Sequence, residues 1–160
     1  MERIHPKRIK ASPPRRHDAR VASRSKDHAL LHRLDRLVVD EHDAALVVER
    51  VCDAWNVALP RLRFHARRSP FTGATERPRT SWVVELGEAE VSRREANGWG
   101  NLPVSGALRL GRTTTLMTLA HELGHHLVFH LHPPSTPHHG FVWVDRFDDA
   151  AGVIADLIDG

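Results

Sequence analysis

Cysteine and tyrosine are almost or wholly missing from this chain of 160 residues, which has one cysteine, Cys52, and no tyrosine. A single cysteine excludes a disulfide framework and a cysteine-based zinc knuckle, and it favours a reducing cytoplasm as the compartment. No apolar run reaches the ~18 residues that a membrane span needs. The charged residues at the start of the chain are not followed by an apolar stretch, so we expect neither a secretory signal peptide nor a membrane partner.

Basic residues are concentrated at the beginning of the chain. Residues 1–26 hold nine Lys and Arg against two acidic residues, a net charge of +7, whereas the remainder carries −4. This segment is rich in proline and poor in large apolar residues, so it cannot bury enough surface to offset its ordering entropy. We therefore predict a basic, disordered tail over 1–26 and one folded domain over 27–160. Two interpretations of the tail stay open: a solvated leader, which the lack of aromatic residues for base stacking favours, and an arm that contacts nucleic acid through its phosphates.

The apolar pattern after the tail predicts an α+β domain with N-terminal helices and a small, mostly antiparallel sheet. Leucines and valines at helical spacing predict one or two helices over about 27–57, with Asp40 as an N-cap. The stretch 68–80 is expected to be a loop. Short strands are predicted for three segments, namely 61–67, 81–86 and 106–110.

Two helices are predicted for the last third of the chain. The first should begin at a cap formed by Thr113 or Thr114 and end near Leu131, because the prolines that follow cannot continue a helix. The second should begin after His139 and close the domain. Four leucines of the first helix share one face and should pack on the core: Leu116, Leu119, Leu123 and Leu127.

The motif His121-Glu122-Leu123-Gly124-His125 lies within the first of these helices. Residues four apart lie about 40° apart on a helix, so both imidazoles can reach one ion, and neutral imidazole suits zinc. Glu122 follows the first histidine on the same side, where it can act on a metal-bound water rather than on the metal. Two fortuitous surface histidines are the alternative.

A catalytic zinc ion usually takes three protein ligands and keeps one position open. Downstream of the motif, the candidates for the third ligand lie in His138-His139-Gly140-Phe141-Val142-Trp143. A glycine after a ligand histidine permits close backbone approach, and Trp143 would anchor the next helix in the core. The intervening loop is long enough to fold back across the helix end.

The stretch from Thr118 to Leu127, followed by His139-Gly140-x-x-Trp143, resembles the SprT-like metallopeptidases and related small metallopeptidases of bacteria and phages. The resemblance covers about 105–147. It implies a minimal zincin domain whose zinc ligands are His121, His125 and His139, with Glu122 as the general base. Some SprT-like proteins act on DNA-bound proteins, which would suit the basic tail, although their zinc ribbon is lacking here.

On this interpretation the chain is a cytoplasmic zinc metallopeptidase that hydrolyses peptide bonds in a protein or peptide substrate. A zinc-bound water, activated by Glu122, would attack the scissile carbonyl. With no tyrosine available, His138 or Arg146 is the expected donor to the oxyanion. We expect the substrate to add as a strand along the edge near 106–110.

Two alternatives remain beside this hypothesis. The segment from Leu119 to His125 also resembles the ImmA/IrrE metallopeptidases, which cut repressors and whose third ligand is an acid before a helix of small residues. Asp148 precedes such residues here, so it is the alternative ligand. In the other alternative the chain is a non-enzymatic nucleic-acid-binding module with structural zinc.

Three further residues could carry chemistry, but we expect them to have no functional role. His126 and His130 form another pair four residues apart, on a different helix face, and we expect solvated side chains rather than a second metal site. Cys52 lies among apolar helical residues and should be a small buried side chain rather than a nucleophile.

Overall fold

The computed structural model describes residues 3–8, 24–65, 73–76, 104–111, 114–133 and 135–160. These residues form, in chain order, β1 (Lys7–Arg8), α1 (His28–Leu34), β2 (Leu37–Val38), α2 (Glu41–Trp55), β3 (Leu59–His65), β4 (Gly73–Glu76), β5 (Val104–Gly111), α3 (Leu116–Leu131) and α4 (Phe141–Asp159). The α+β class is therefore confirmed. None of the described helices has the length and apolar character that a membrane crossing requires.

In the described part of the chain, the larger sheet has three strands with β5 at its centre. β3 runs parallel to β5 on one side, and β4 runs antiparallel to it on the other. The expected substrate edge at 106–110 is therefore corrected, because β5 is paired on both sides. The loop expected at 68–80 contains β4, whose short sequence shows no alternation and becomes a strand by pairing with β5. The predicted strand at 81–86 lies outside the described residues.

The helix ends follow the local capping chemistry. Asp40 caps α2 as predicted, since its carboxylate accepts a hydrogen bond from the Asp43 backbone N–H at 2.8 Å. At the other end of α2, Asn56 takes a left-handed conformation with φ of 51°. The cap of α3 is Thr115 instead of Thr113 or Thr114, because its hydroxyl accepts from the Thr118 N–H at 3.2 Å.

The core lies between α3, α4 and the other helices. The leucine face of α3 is fully buried, as predicted, and α4 contributes a matching row of large side chains: Trp143, Phe147, Ile154 and Ile158. Because apolar area is removed from water along most of α3, the helix is fixed by tertiary packing at the turns that carry the histidine motif.

Both described ends of the basic segment pack on the domain, although we predicted a disordered tail for 1–26. Ile4 is 1% exposed and its backbone N–H donates to the Leu157 carbonyl at 3.1 Å. β1 pairs with β2 just after it. At the other end, the Ser25 hydroxyl donates to the Asp148 carboxylate at 2.5 Å. The average composition of these 26 residues gives no sign of this contact, because a single well-placed isoleucine makes it.

Candidate metal centre

Three histidines from two parts of the chain meet at one end of α4. His121 and His125 lie one turn apart on α3, whereas His139 belongs to the loop that joins α3 to α4. The α3 helix ends at Leu131, before Pro133, and the loop brings His139 back to the helix face. Within the described ranges this is the one group of three candidate ligand side chains whose donor atoms converge.

The three Nε2 atoms form an almost equilateral triangle. The distance from His125 Nε2 is 3.2 Å to His121 Nε2 and 3.2 Å to His139 Nε2, and the third side is 3.3 Å. Nitrogen ligands at 2.0–2.1 Å from a tetrahedral zinc ion are separated by about 3.3–3.4 Å. The spacing therefore fits three ligands of one tetrahedral ion.

Hydrogen bonding among neutral imidazoles does not account for this triangle. Each Nε2 of a neutral ring is either an N–H donor or a lone-pair acceptor. With three mutually adjacent atoms and two roles, at least two atoms share a role, and that pair repels. A cation that faces three lone pairs removes the conflict, so the donor set itself favours a metal ion.

Trp143 forms a wall of the histidine cluster. Its ring centroid lies 4.7 Å from that of His121 and 4.8 Å from that of His139. The close approach of α4 depends on Gly124, because a Cβ at that position would lie 3.0 Å from Trp143 Nε1 and 3.2 Å from the Phe147 backbone nitrogen. The small size of Gly124 thus allows Trp143 to pack against the histidine rings, and Trp143 is buried in the core, as predicted.

Glu122, within the histidine motif, is buried, with 7% of its surface exposed. It lies on α3 next to His121, and its carboxylate is one of few buried acidic groups among the described residues. A buried carboxylate is stabilised by a nearby positive charge. A cation held by the histidines would therefore favour the ionised form of Glu122, which is the form that accepts a proton.

Asp148, the alternative third ligand, is engaged elsewhere. Its carboxylate accepts hydrogen bonds from the Ser25 hydroxyl at 2.5 Å and from the Lys26 backbone N–H at 3.1 Å. It holds the basic segment on α4, while His139 joins the cluster. The structure thus brings together His121, His125 and His139 and leaves Asp148 in a different set of contacts.

The two expected oxyanion donors are found in different places. The His138 ring centroid lies 5.9 Å from that of His125 and 6.5 Å from that of Phe129, beside the cluster. Arg146 instead lies over the Trp55 ring, 4.3 Å from its centroid, and its Nε is 3.4 Å from Asp149. His138 is therefore the candidate that the fold places near the metal ligands.

The expectation of a solvated His126 is wrong. Its ring is fully buried and its Nε2 donates to the Ala58 carbonyl at 2.7 Å. Desolvation, together with the neighbouring His130, lowers the pKa of His126 to about 3. The neutral ring is thus part of the packing between α3 and the segment before β3. Cys52 is buried, as predicted.

One contact of the cluster was missed by sequence reasoning. The Arg24 guanidinium donates a hydrogen bond to the His139 backbone carbonyl at 2.7 Å. No local signal points to it, because Arg24 is one of many basic residues in the first 26. It ties the end of the basic segment to the loop that supplies the third histidine.

The chain matches no protein-family model, and no curated protein or solved structure is similar to it at a significant level.

Proposed function

We propose that the chain is a zinc-dependent metallopeptidase that hydrolyses peptide bonds in a protein or peptide substrate. The observation that carries the proposal is the Nε2 triangle of His121, His125 and His139, together with the burial of Glu122, which follows His121 in α3. Three protein ligands are typical of catalytic zinc, which keeps one position open, whereas structural zinc takes four. The SprT-like resemblance of the motif agrees with this proposal.

Each residue at the site would have a separate role in hydrolysis. Zinc, when bound, acidifies water and polarises a carbonyl group. Glu122 accepts the proton of the attacking water on its carboxylate and returns it to the amine that leaves. His138, whose ring centroid lies 5.9 Å from that of His125, would donate a hydrogen bond to the carbonyl oxygen as negative charge develops there.

An extended substrate has a candidate edge in β4. Among the described strands, β3 and β4 form the two edges of the larger sheet, and β4 is the edge that contacts α3. Main-chain hydrogen bonds to such an edge would orient a peptide in the extended conformation that strand addition requires. We therefore place the substrate along Gly73–Glu76 rather than along β5.

The decisive variant is Glu122→Gln, which removes the proton acceptor and keeps the shape of the side chain. We expect one equivalent of zinc to be retained and cleavage of a quenched-fluorescent peptide library and of a denatured protein to fall at least ~100-fold. The matched control is Glu41→Gln, an exposed change in the first turn of α2. Equal cleavage rates for wild type and Glu122→Gln would refute the peptidase proposal.

Two competing functions have less support. A repressor-cleaving enzyme of the ImmA/IrrE kind would use an acid as third ligand, and Asp148 is bound to Ser25 instead. A nucleic-acid-binding module with structural zinc would need a fourth protein ligand. A cytoplasmic location belongs to the proposal and rests on the single cysteine.

A further inference from the structure

A cleft lined by basic side chains lies at the C-terminal end of α4, far from the histidine cluster. Its volume is about 570 Å³, and β1, α1, β2 and the end of α4 form its walls. We call it the basic cleft and define it by six residues: Arg3, His5, Arg8, His32, Arg33 and Arg36. Since α4 rises about 27 Å between Gly140 and Ile158 at 1.5 Å per residue, the cleft is separate from the candidate metal centre.

The charges of the basic cleft are only partly neutralised by acidic groups among the described residues. Arg33 forms a two-point ion pair with Asp159 at 2.7 and 3.3 Å. The hydrogen bond of Arg33, and to a lesser extent the charge of Arg3, lowers the pKa of Asp159. The hydrogen bonds of Arg3 and Arg36, however, go to neutral groups. The Arg3 Nε bonds the Ile158 carbonyl at 2.7 Å, and the Arg36 Nη2 bonds the His32 ring at 2.9 Å.

These bonds also hold the guanidinium groups in place. Arg3 is fixed to the end of α4 next to the buried Ile4, and Arg36 is held against His32 of α1. Arg8 extends from β1, whose pairing with β2 sets its backbone. An anion that binds here meets donors whose positions are set before binding, which reduces the entropy lost on association.

The type of residue indicates the type of anion. All four full positive charges in the cleft belong to arginines, whose planar forks bind phosphate oxygens in pairs. The described lining contains no Phe or Trp, so base stacking does not contribute. The arginines would therefore contact the phosphate groups of a ligand and not its bases.

We propose that the basic cleft is a binding site for phosphate groups, which a nucleic acid strand or a free nucleotide can supply. The site is independent of the proposed peptidase activity, because its residues and those of the metal centre lie at opposite ends of α4. A phosphate-bearing ligand held there would leave the histidine cluster open.

The test compares Arg8→Ala with Lys7→Ala in the full chain. Both remove one exposed positive charge from β1, but adjacent strand residues face opposite sides and only Arg8 lines the cleft. The probes are labelled 20-mer single-stranded and duplex DNA in anisotropy titrations, and pyrophosphate and ATP in calorimetric titrations. We expect Arg8→Ala to weaken binding roughly tenfold and Lys7→Ala to change it less than twofold.

A second variant, Arg36→Gln, should weaken binding to a similar degree, and circular dichroism checks that each variant is folded. Tighter binding of DNA than of ATP would identify a nucleic acid strand as the source of phosphate. Binding of ATP that is at least as tight as that of DNA would identify a nucleotide. Both outcomes support the site. Equal losses in Arg8→Ala and Lys7→Ala, no binding of any probe, or equal binding of a poly-glutamate peptide would overturn it.

Discussion

The Arg24 guanidinium and the His139 carbonyl are joined by a hydrogen bond of 2.7 Å across most of the chain. The neighbouring Ser25 donates a hydrogen bond to Asp148. Arg24 and Ser25 therefore attach the end of the basic segment to the loop and to the first turns of α4. Of the three histidines that converge, His139 alone lies outside α3, and a loop ligand loses more conformational entropy on binding metal than a helical one. These two hydrogen bonds therefore fix the position of the third imidazole without a metal ion.

Arg24→Ala should weaken zinc binding by roughly tenfold, because residues that orient a ligand typically contribute 10–100-fold to metal affinity. Competition with a chelator of known affinity measures the change, and Arg24→Lys should restore part of it. The matched control is Lys26→Ala, since the Lys26 side chain is 84% exposed and lies 3.7 Å from Asp145, an ion pair that contributes little. If Arg24→Ala binds zinc as tightly as wild type, the loop is ordered by other contacts.

Metal stoichiometry should separate the two candidate third ligands. At saturating zinc we expect one equivalent in wild type and in Asp148→Ala, and less than one in His139→Ala, measured by metal analysis after gel filtration. Because zinc binds the folded state, a 100-fold excess over its Kd adds about 2.7 kcal/mol of stability. A chelator should accordingly lower the Tm of wild type and leave that of His139→Ala unchanged. Full zinc content in His139→Ala would contradict the assignment.

Local chemistry in the sequence predicted much of this domain. The leucine face of α3, the Asp40 cap and the proline stop after Leu131 each depend on a few neighbouring residues, and the structure confirms all three. The pair His121 and His125 could be predicted for the same reason, because a four-residue spacing on a helix fixes their separation. The position of His139 beside them agrees with the prediction made from the motif His139-Gly140-x-x-Trp143.

Features that depend on residues far apart in the chain could not be predicted from the sequence. β4 has no alternating pattern and exists through its pairing with β5. His126 resembles a surface histidine until the Ala58 carbonyl is found 2.7 Å from its Nε2. Arg24 and Ile4 belong to a stretch whose average composition predicts disorder, yet each makes a specific long-range contact. Periodicity and composition report none of these contacts.

Cys52 should behave as an inert thiol in the native protein. Burial, with an added effect of Glu49, raises the pKa of the Cys52 thiol well above its usual range, so the reactive thiolate is scarce at pH 8. We expect a thiol reagent such as dithionitrobenzoate to label the native chain slowly and the chain in 6 M guanidinium within minutes. The native rate should rise with denaturant as the fold opens. Fast labelling without denaturant would show that the thiol is accessible.

Two glycine substitutions should have opposite effects on stability. At Gly124 an added methyl group would lie 3.0 Å from Trp143 Nε1 and 3.2 Å from backbone atoms of Phe147, so α4 would have to move away from α3. Overpacking of this kind costs about 1–3 kcal/mol, which outweighs the gain of up to ~1 kcal/mol that alanine brings inside a helix. At Gly152, in the middle of α4, nothing lies within 4 Å of an added methyl group, and alanine gains up to ~1 kcal/mol from its helix propensity.

Gly124→Ala is therefore expected to lower the free energy of unfolding and Gly152→Ala to raise it, both measured by urea denaturation of the metal-free chain. Removing the metal separates packing from ligand effects, because Gly124 lies between two candidate ligands in the sequence. A third variant, Gly124→Ala with Trp143→Phe, should recover part of the lost stability, since the smaller ring leaves space near the new methyl group. Equal stability of the Gly124→Ala and Gly152→Ala chains would mean that α3 and α4 are not in the close contact from which the histidine cluster takes its shape.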